Sequence, residues 1–454
     1  MSTSDTARRI LSAPSFKFVL VLVLILALTI PLLFVYALVY EREQRARQAT
    51  TSISQMWGGR QTMAGPYIAV PTERARVSGA GANAQTVTER NFAVFLPETL
   101  NVTSDLKTEE RRRGIFTVPV YRSTHAFEGR FAPATAEKIS QSVDRVLWQE
   151  AVIVVLVSDV RGIVEGITAE LGGLGSRAFR AGSGLQGRHG GAIHIPVSEQ
   201  EASNGFSFKF SLGLRGSQVA RFMPAGGDTN VAMAADWPHP SFSGGFLPDS
   251  RSISEAGFEA TWSIPRLARG TAQTQLVSNL GGLRVSRSEF GVDLFQPVRF
   301  YSLAQRALKY AIGFIGIAFF AVFIMEVQAR RRVHWIQYLF VGLALVIFYV
   351  LLIGTAEHIG FDLAYLAAST ATSLLIGVYF GSVVGSRLKG FVLFALLGII
   401  YALLYLLLRL EDYALLVGSI AAFVTIAIVM FVTRNIDWGR GIDTEKPPQA
   451  QPAE

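Results

Sequence analysis

Between Phe16 and Tyr40 the chain reads FKFVLVLVLILALTIPLLFVYALVY, 25 residues whose only charge is Lys17. At ~1.5 Å of rise per residue such a run crosses a hydrocarbon core of about 30 Å, so the chain must fold partly against lipid. A cleaved signal peptide has a shorter apolar core, roughly 7 to 15 residues, followed by a small-residue cleavage site. No such site clearly follows Tyr40. The run therefore reads as an uncleaved anchor, residues 16–40, after a short cytoplasmic N-terminus, residues 1–15.

The whole chain has the composition of a membrane protein: half of its 454 residues are hydrophobic and 17% are charged. From residue 303 to 434 the apolar character returns, cut by polar clusters into five helix-length pieces at about 307–327, 333–355, 361–384, 390–408 and 413–432. Six spans place both termini on one side. The Lys and Arg count on that side is eleven, Arg8, Arg9, Lys17, Arg330 to Arg332, Arg387, Lys389, Arg434, Arg440 and Lys446. The opposite side carries seven, Arg42, Arg45, Arg47, Arg299, Arg306, Lys309 and Arg409. The positive-inside rule thus favours cytoplasmic termini in a multi-pass protein of a bacterial inner membrane. Residues 41–302 then form a periplasmic domain large enough to bury its own core. With no cysteine in the chain, that domain is held by packing without disulfides. The net charge of +8 sits largely in membrane-flanking arginines, and no basic helix or aromatic RNA motif points to nucleic acid.

Glu41 to Trp57 is polar enough to extend the anchor as a helix above the membrane, and WGGRQTMAGP stops it with three glycines and a proline. Period-two runs follow: YIAVP from Tyr67, NFAVFLP from Asn91, GIFTVPVYRSTHAFEGRF from Gly114, AVIVVLVSD from Ala151, GFSFKFSLGL from Gly205, NVAMAA from Asn230 and GFEATWSI from Gly257. Phe206, Phe208, Phe210 and Leu212 alternate with Ser207, Lys209 and Ser211, as a strand with one buried face requires. The expectation is an integral membrane protein whose β-rich antiparallel domain, two-layered or supersandwich-like, lies between one N-terminal transmembrane helix and a bundle of five C-terminal ones. One amphipathic helix is expected over Ala134–Leu147, with Ile139, Val143, Val146 and Leu147 on one face. Eight glycines between Leu171 and Gly191 mark a long loop, and the polar tail, residues 435–454, is expected to be disordered.

Several catalytic patterns match and fail on context. GSGLQG (Gly182–Gly187) follows no buried strand and opens no helix, as a dinucleotide site requires. SDLK (Ser104–Lys107) lacks the partner motifs of the penicillin-binding enzymes. The six histidines are scattered, with His189 and His194 the least unlikely metal pair. Glu326, Glu357, His358, Asp362, Glu411 and Asp412 lie at span ends near water, which favours interfacial hydrogen bonding over an ion pathway. No catalytic, cofactor or metal residue is therefore assigned. The segment WPHPSFSGGFLP (Trp237–Pro248) stands out: its prolines and paired glycines make a stiff turn. Trp237, Phe242 and Phe246 either cap the β-core or, with His239, form a partner-binding loop.

In order, the chain resembles the CreD family of inner-membrane proteins over about Phe18 to Trp438. The resemblance is carried by WGGRQTMAGP, RRGIFTVPVY, VSDVRGI, WPHPSFSGGFLP with GFEATW, QPVRFYSLAQRALKY, HWIQYLFVGLALVIFYVLL, EHIGFDLAYLAA, RLEDYALLVGS and TRNIDW. His334 is followed by Trp335 where the family usually has proline, and the glycine-rich loop has no match. The resemblance implies an envelope-integrity protein, associated with a sensor-kinase and response-regulator pair and with altered tolerance to β-lactams and a colicin. It implies no catalytic residue, cofactor or transported substrate. The chain thus reads as a non-enzymatic protein that supports envelope integrity and the envelope stress or antibiotic response. Its partners are the lipid bilayer and an envelope component, or a periplasmic or inner-membrane protein. The rival readings are an envelope enzyme with a cryptic site around Ser158, Asp159 and His239, and a lipid or small-molecule transporter built on the small residues Ala367–Ser373.

Overall fold

The computed structural model describes residues 14–78, 85–114, 116–139, 143–185, 191–280, 288–294, 300–329, 333–410 and 413–434. The N-terminus before Pro14, the tail from residue 435, and His189, Glu411 and Asp412 lie outside the described residues. The chain divides into a helical unit, Met1–Arg45 with Val298–Glu454, and a β unit, Ala46–Pro297.

The first helix, α1 (Pro14–Trp57), runs unbroken for 44 residues. The polar half continues the apolar one because it has good helix formers and an i,i+4 pair, Glu41 with Arg45. Termination is built into the next two residues. Gly58 and Gly59 take φ of +120° and +68°, and both amides donate to the Ser54 carbonyl at 3.1 and 2.7 Å.

The β unit begins with β1 (Gln61–Ser78), β2 (Gln85–Phe95), β3 (Thr99–Arg113), β4 (Phe116–Phe131), β5 (Arg145–Val146) and β6 (Val152–Val157). Next come β7 (Thr168–Leu171), β8 (Gly175–Ala178), β9 (Arg180–Ala181), β10 (Ala192–Pro196), the short helix α2 (Glu199–Asn204), β11 (Phe206–Ser217) and β12 (Val219–Phe222). It closes with β13 (Asp228–Ala235), β14 (Pro240–Gly244), β15 (Ser250–Ser254), β16 (Gly257–Ile264), α3 (Arg266–Arg269), β17 (Thr274–Val277) and β18 (Phe290–Leu294). These strands form two sheets. The first has the order β14-β18-β12-β1-β6-β10-β9, with β2 and β5 also on the long β1 and β17 on β2; the second has β15-β16-β13-β3-β4-β11-β7-β8.

Alternation explains the second sheet: β3, β11, β13 and β16 each bury every other residue. In contrast β6, VIVVLV, is buried at all six positions, as an uninterrupted apolar run demands. The sheets share one core, where Phe222 and Phe290 of the first meet Phe127 and Trp262 of the second at ring distances of 6.4 and 5.7 Å.

Three expectations change. Pairing is mainly antiparallel, but β1–β12 and β13–β3 are parallel. These pairings are long-range, with whole strands intervening, and local periodicity carries no signal for them. The helix expected over Ala134–Leu147 is absent among the described residues; a 3₁₀ turn at Ala136–Lys138 and the strand β5 stand there. Ile139 and Leu147 are still buried, so the apolar residues reach the core by another route. The glycine-rich stretch is not a single long loop, since it contains β8 and β9.

In the helical unit α1 buries Val21, Leu24, Leu28, Leu32, Val35 and Val39, spaced by three and four, and leaves Leu26, Leu33 and Phe34 exposed. Four helices follow that are long and apolar enough to cross a membrane: α4 (Phe300–Ala329), α5 (Trp335–Ile359), α6 (Phe361–Val384) and α7 (Arg387–Arg409). A fifth, α8 (Ala414–Thr433), is equally apolar but shorter. α6 and α7 touch backbone to backbone. A Cβ on Gly390 would lie 2.5 Å from the Gly377 carbonyl oxygen and 2.9 Å from Gly381 Cα. Gly390→Leu should therefore force the two helices apart at a cost of about 1–3 kcal/mol, read as a lower melting temperature of the solubilised protein. Gly354→Leu, at a site with open space around it, should leave that temperature unchanged.

Candidate partner-binding loop

The segment Trp237–Pro248 crosses from one sheet to the other. It leaves β13 in the second sheet, runs along β18 as the edge strand β14 of the first, and returns to become β15, the edge of the second. Pro240 opens β14 at the sheet edge, where its missing N–H costs no ladder bond to a further strand. Gly244 has φ of +116°, and any Cβ there would collide with the Glu289 carbonyl, so only glycine lets β14 pass. The Gly245 amide then donates to that same carbonyl at 2.8 Å.

The aromatic residues turn inward. Trp237 is buried and its Nε1 donates to the His239 carbonyl at 3.1 Å. Phe242 stands edge-on to Phe258 and Trp262 at 5.5 and 5.9 Å, and Phe246 edge-on to Phe290 at 6.2 Å. A charged clasp holds the backbone beside them. Arg221 donates to Ser243 Oγ at 2.9 Å, to both oxygens of Asp293 at 2.8 and 3.0 Å, and to Glu289 at 3.1 Å. Outward the segment presents His239 and Leu247, the latter 68% exposed, and the strand β15 that follows it exposes Ile253 at 50%. Among the described residues no cluster of three His, Asp or Glu side chains is placed to hold a metal.

The other sequence candidates separate. Ser158 Oγ is engaged by the Thr62 backbone, and Asp159 caps a 3₁₀ turn and binds Arg161, which holds its carboxyl below the usual carboxylate range. Ser158 follows β6, four strands from β14 in the first sheet, which puts it roughly 19 Å laterally from His239 at ~4.8 Å per strand. No Ser-His-Asp set is assembled from these three. Ser104 and Lys107 face opposite sides of β3: the serine is buried, and the lysine is exposed beside Asp105 at 3.6 Å. His194 Nδ1 lies 2.8 Å from the Gly182 carbonyl, and its expected partner His189 lies outside the described residues.

One constellation went unread in the sequence. Ser104 Oγ is 2.7 Å from His125 Nδ1, and Ser123 Oγ is 2.8 Å from His125 Nε2. The Ser123 hydroxyl donates to the Leu214 carbonyl at 3.2 Å, so it accepts from Nε2–H, and Nδ1 accepts from Ser104. That arrangement has the connectivity of a nucleophile and base, but Ser104 is 2% exposed and His125 fully buried, which leaves no approach for a substrate. Burial in apolar surroundings pushes the His125 imidazole down to about 3, so it is neutral at ordinary pH. The signal was available: Ser123 and His125 fall on the inward row of β4 with Phe127.

Three span-end carboxylates of the helical unit are likewise paired. Glu326 accepts from Tyr338 Oη at 2.7 Å and the Val333 amide at 2.8 Å. Glu357 accepts from Tyr301 Oη at 3.0 Å with Arg42 at 3.7 Å, and Asp362 binds Arg409 and Tyr405. These contacts join successive helices and account for Glu326, Glu357 and Asp362 at the span ends.

A family model described as inner membrane protein CreD matches residues 13–439. A curated relative described as "Inner membrane protein CreD", from Escherichia coli (strain K12), is 32% identical over 411 residues, which is 90% of each chain.

Proposed function

The chain belongs to the CreD family of inner membrane proteins, and from that membership we propose a non-enzymatic role in cell-envelope integrity and in the envelope stress or antibiotic response. In this reading both termini lie in the cytoplasm and the β unit lies in the periplasm. The excess of Lys and Arg on the side of the termini supports that orientation. The β unit binds an envelope component or a protein partner, and the helical unit anchors it.

One observation carries the binding reading. β14 and β15 are consecutive in the chain and form the edges of different sheets, joined by five residues that expose Leu247, and β15 itself exposes Ile253. Open edges with apolar side chains are templates for strand addition unless something covers them. Trp237, Phe242 and Phe246 shape this place from beneath, and His239, Leu247 and Ile253 are the groups a partner would touch. A photocrosslinking residue at Leu247 or Ile253, introduced in living cells, should give a discrete adduct that the same residue at exposed Val87 on β2 does not. Identical patterns from all three positions would overturn the assignment. The orientation has its own test, because the chain has no cysteine. Ser254→Cys should react with a membrane-impermeant maleimide in intact spheroplasts, and protection until lysis would invert the topology.

A further inference from the structure

α6 and α7 are joined by Gly385 and Ser386 alone, and on one face their seam opens into two cavities of about 450 and 700 Å³ that share Phe394. Volumes in this range hold small organic ligands. Leu366, Thr370, Leu374, Val378 and Ser382, four residues apart, form one wall and are exposed, so the groove opens toward the membrane rather than into the bundle. From Leu366 to Ser382 that wall is ~24 Å long at helical rise, most of the depth of a ~30 Å hydrocarbon core.

The two ends differ in charge. At one, Asp362 is matched by Arg409 and Tyr405. At the other, Arg387 lines the cavity and Lys389 follows it, the first and third residues of α7, and neither has a carboxylate partner among the described residues. Cations at this end of a helix add to its positive dipole, where acidic side chains are normally favoured. Arg387 thus puts unmatched positive charge at the mouth of an apolar groove, and Lys389 in the same helical turn adds to it from outside the lining.

We propose that this groove is a site for one anionic phospholipid. Its phosphate lies against Arg387, with Lys389 raising the positive potential of the same helical turn, and an acyl chain runs along the seam past Gly390 and Phe394 toward Gly398. Charge complementarity selects the headgroup and the groove holds the chain. Basic residues near a membrane surface each contribute enough to make the two together worth roughly a thirtyfold preference.

The test uses the full-length protein in mild detergent, titrated with phosphatidylglycerol or phosphatidylethanolamine and read by native mass spectrometry. One phosphatidylglycerol per chain should bind with about thirtyfold preference over phosphatidylethanolamine. The double variant Arg387→Ala/Lys389→Ala should reduce the preference to within about twofold. Gly398→Leu projects into open space, so the fold tolerates it, and it should weaken phosphatidylglycerol binding at an unchanged lipid-free melting temperature. Inorganic phosphate at millimolar concentration should not compete. Overturning results are an unchanged preference in the double variant, full binding by Gly398→Leu, or displacement by inorganic phosphate. Disulfide-linked dimers through Val378→Cys in lipid-replete protein would equally overturn it, by showing that a second copy fills the groove.

Discussion

Gly58→Ala should abolish recovery of folded full-length protein at 37 °C. Gly58 has φ of +120°, and a Cβ there would lie 2.5 Å from the Arg215 carbonyl oxygen and 2.9 Å from Gly162 Cα. Both obstacles are backbone and neither swings aside. Backbone strain and overpacking together are worth about 2–6 kcal/mol, a range whose upper end reaches the whole stability of many domains. The surroundings are equally unyielding. Gln61 is fully buried, and the two N–H groups of its Nε2 are shared among the carbonyls of Gly58, Asp159 and Arg215 at 2.6, 3.0 and 3.1 Å. The segments WGGRQ, SDVRG and RGS are thus knotted through one side chain and two glycines. Gly173→Ala is the control, with φ of +78° but open space around it, and should cost only about 1–2 kcal/mol. Equal thermal stability of the two variants would show that the close approach at Gly58 is not what limits folding.

That knot bears on how much the sequence revealed. WGGRQ was legible as a helix stop because glycine pairs stop helices locally, but its contact with residues 159 and 215 depends on pairings of β1 with β6 and β12 that no local pattern encodes. The strands β4, β11, β13 and β16 were legible through their alternation, and β6 through its uninterrupted run of β-branched and apolar residues. β3 was missed although Leu100, Val102, Ser104 and Leu106 alternate, because a buried serine and the charged run EERRR disguise its inward row. The segment Ala134–Leu147 was misread for the opposite reason. Its apolar spacing suits a helix, but a helix of that length is marginal alone, and pairing of Arg145 and Val146 with β1 competes successfully. The candidate loop was half legible: its aromatics capping the core follow from composition, but its place between two sheet edges is a property of topology alone.

The second large effect is a loss of stability in mild acid that depends on His125. The fold accepts only the neutral imidazole, held at about 3 by burial, whereas the unfolded chain takes up the proton below about 6.5. Its contribution is therefore fully present above the ordinary histidine value and is lost as the pH falls from there toward the lowered one. The loss is about 2 kcal/mol at pH 5 and about 4 kcal/mol near pH 3. The β-unit carboxylates with lowered values do not mimic this in the upper window. Glu201, held at about 2 by Arg177, and Asp159, held down by Arg161, stabilise the fold above the ordinary carboxylate range and lose that effect only below it. Hydrogen exchange of the β3 and β4 amides in the full-length protein, compared at matched intrinsic rates between pH 7.5 and 5, should show protection falling about thirtyfold. His125→Gln keeps one donor and one acceptor between Ser104 and Ser123 but cannot titrate; it should start less stable at pH 7.5 and then lose almost nothing by pH 5. Parallel pH slopes in the two proteins would mean that the buried imidazole is not the group that responds.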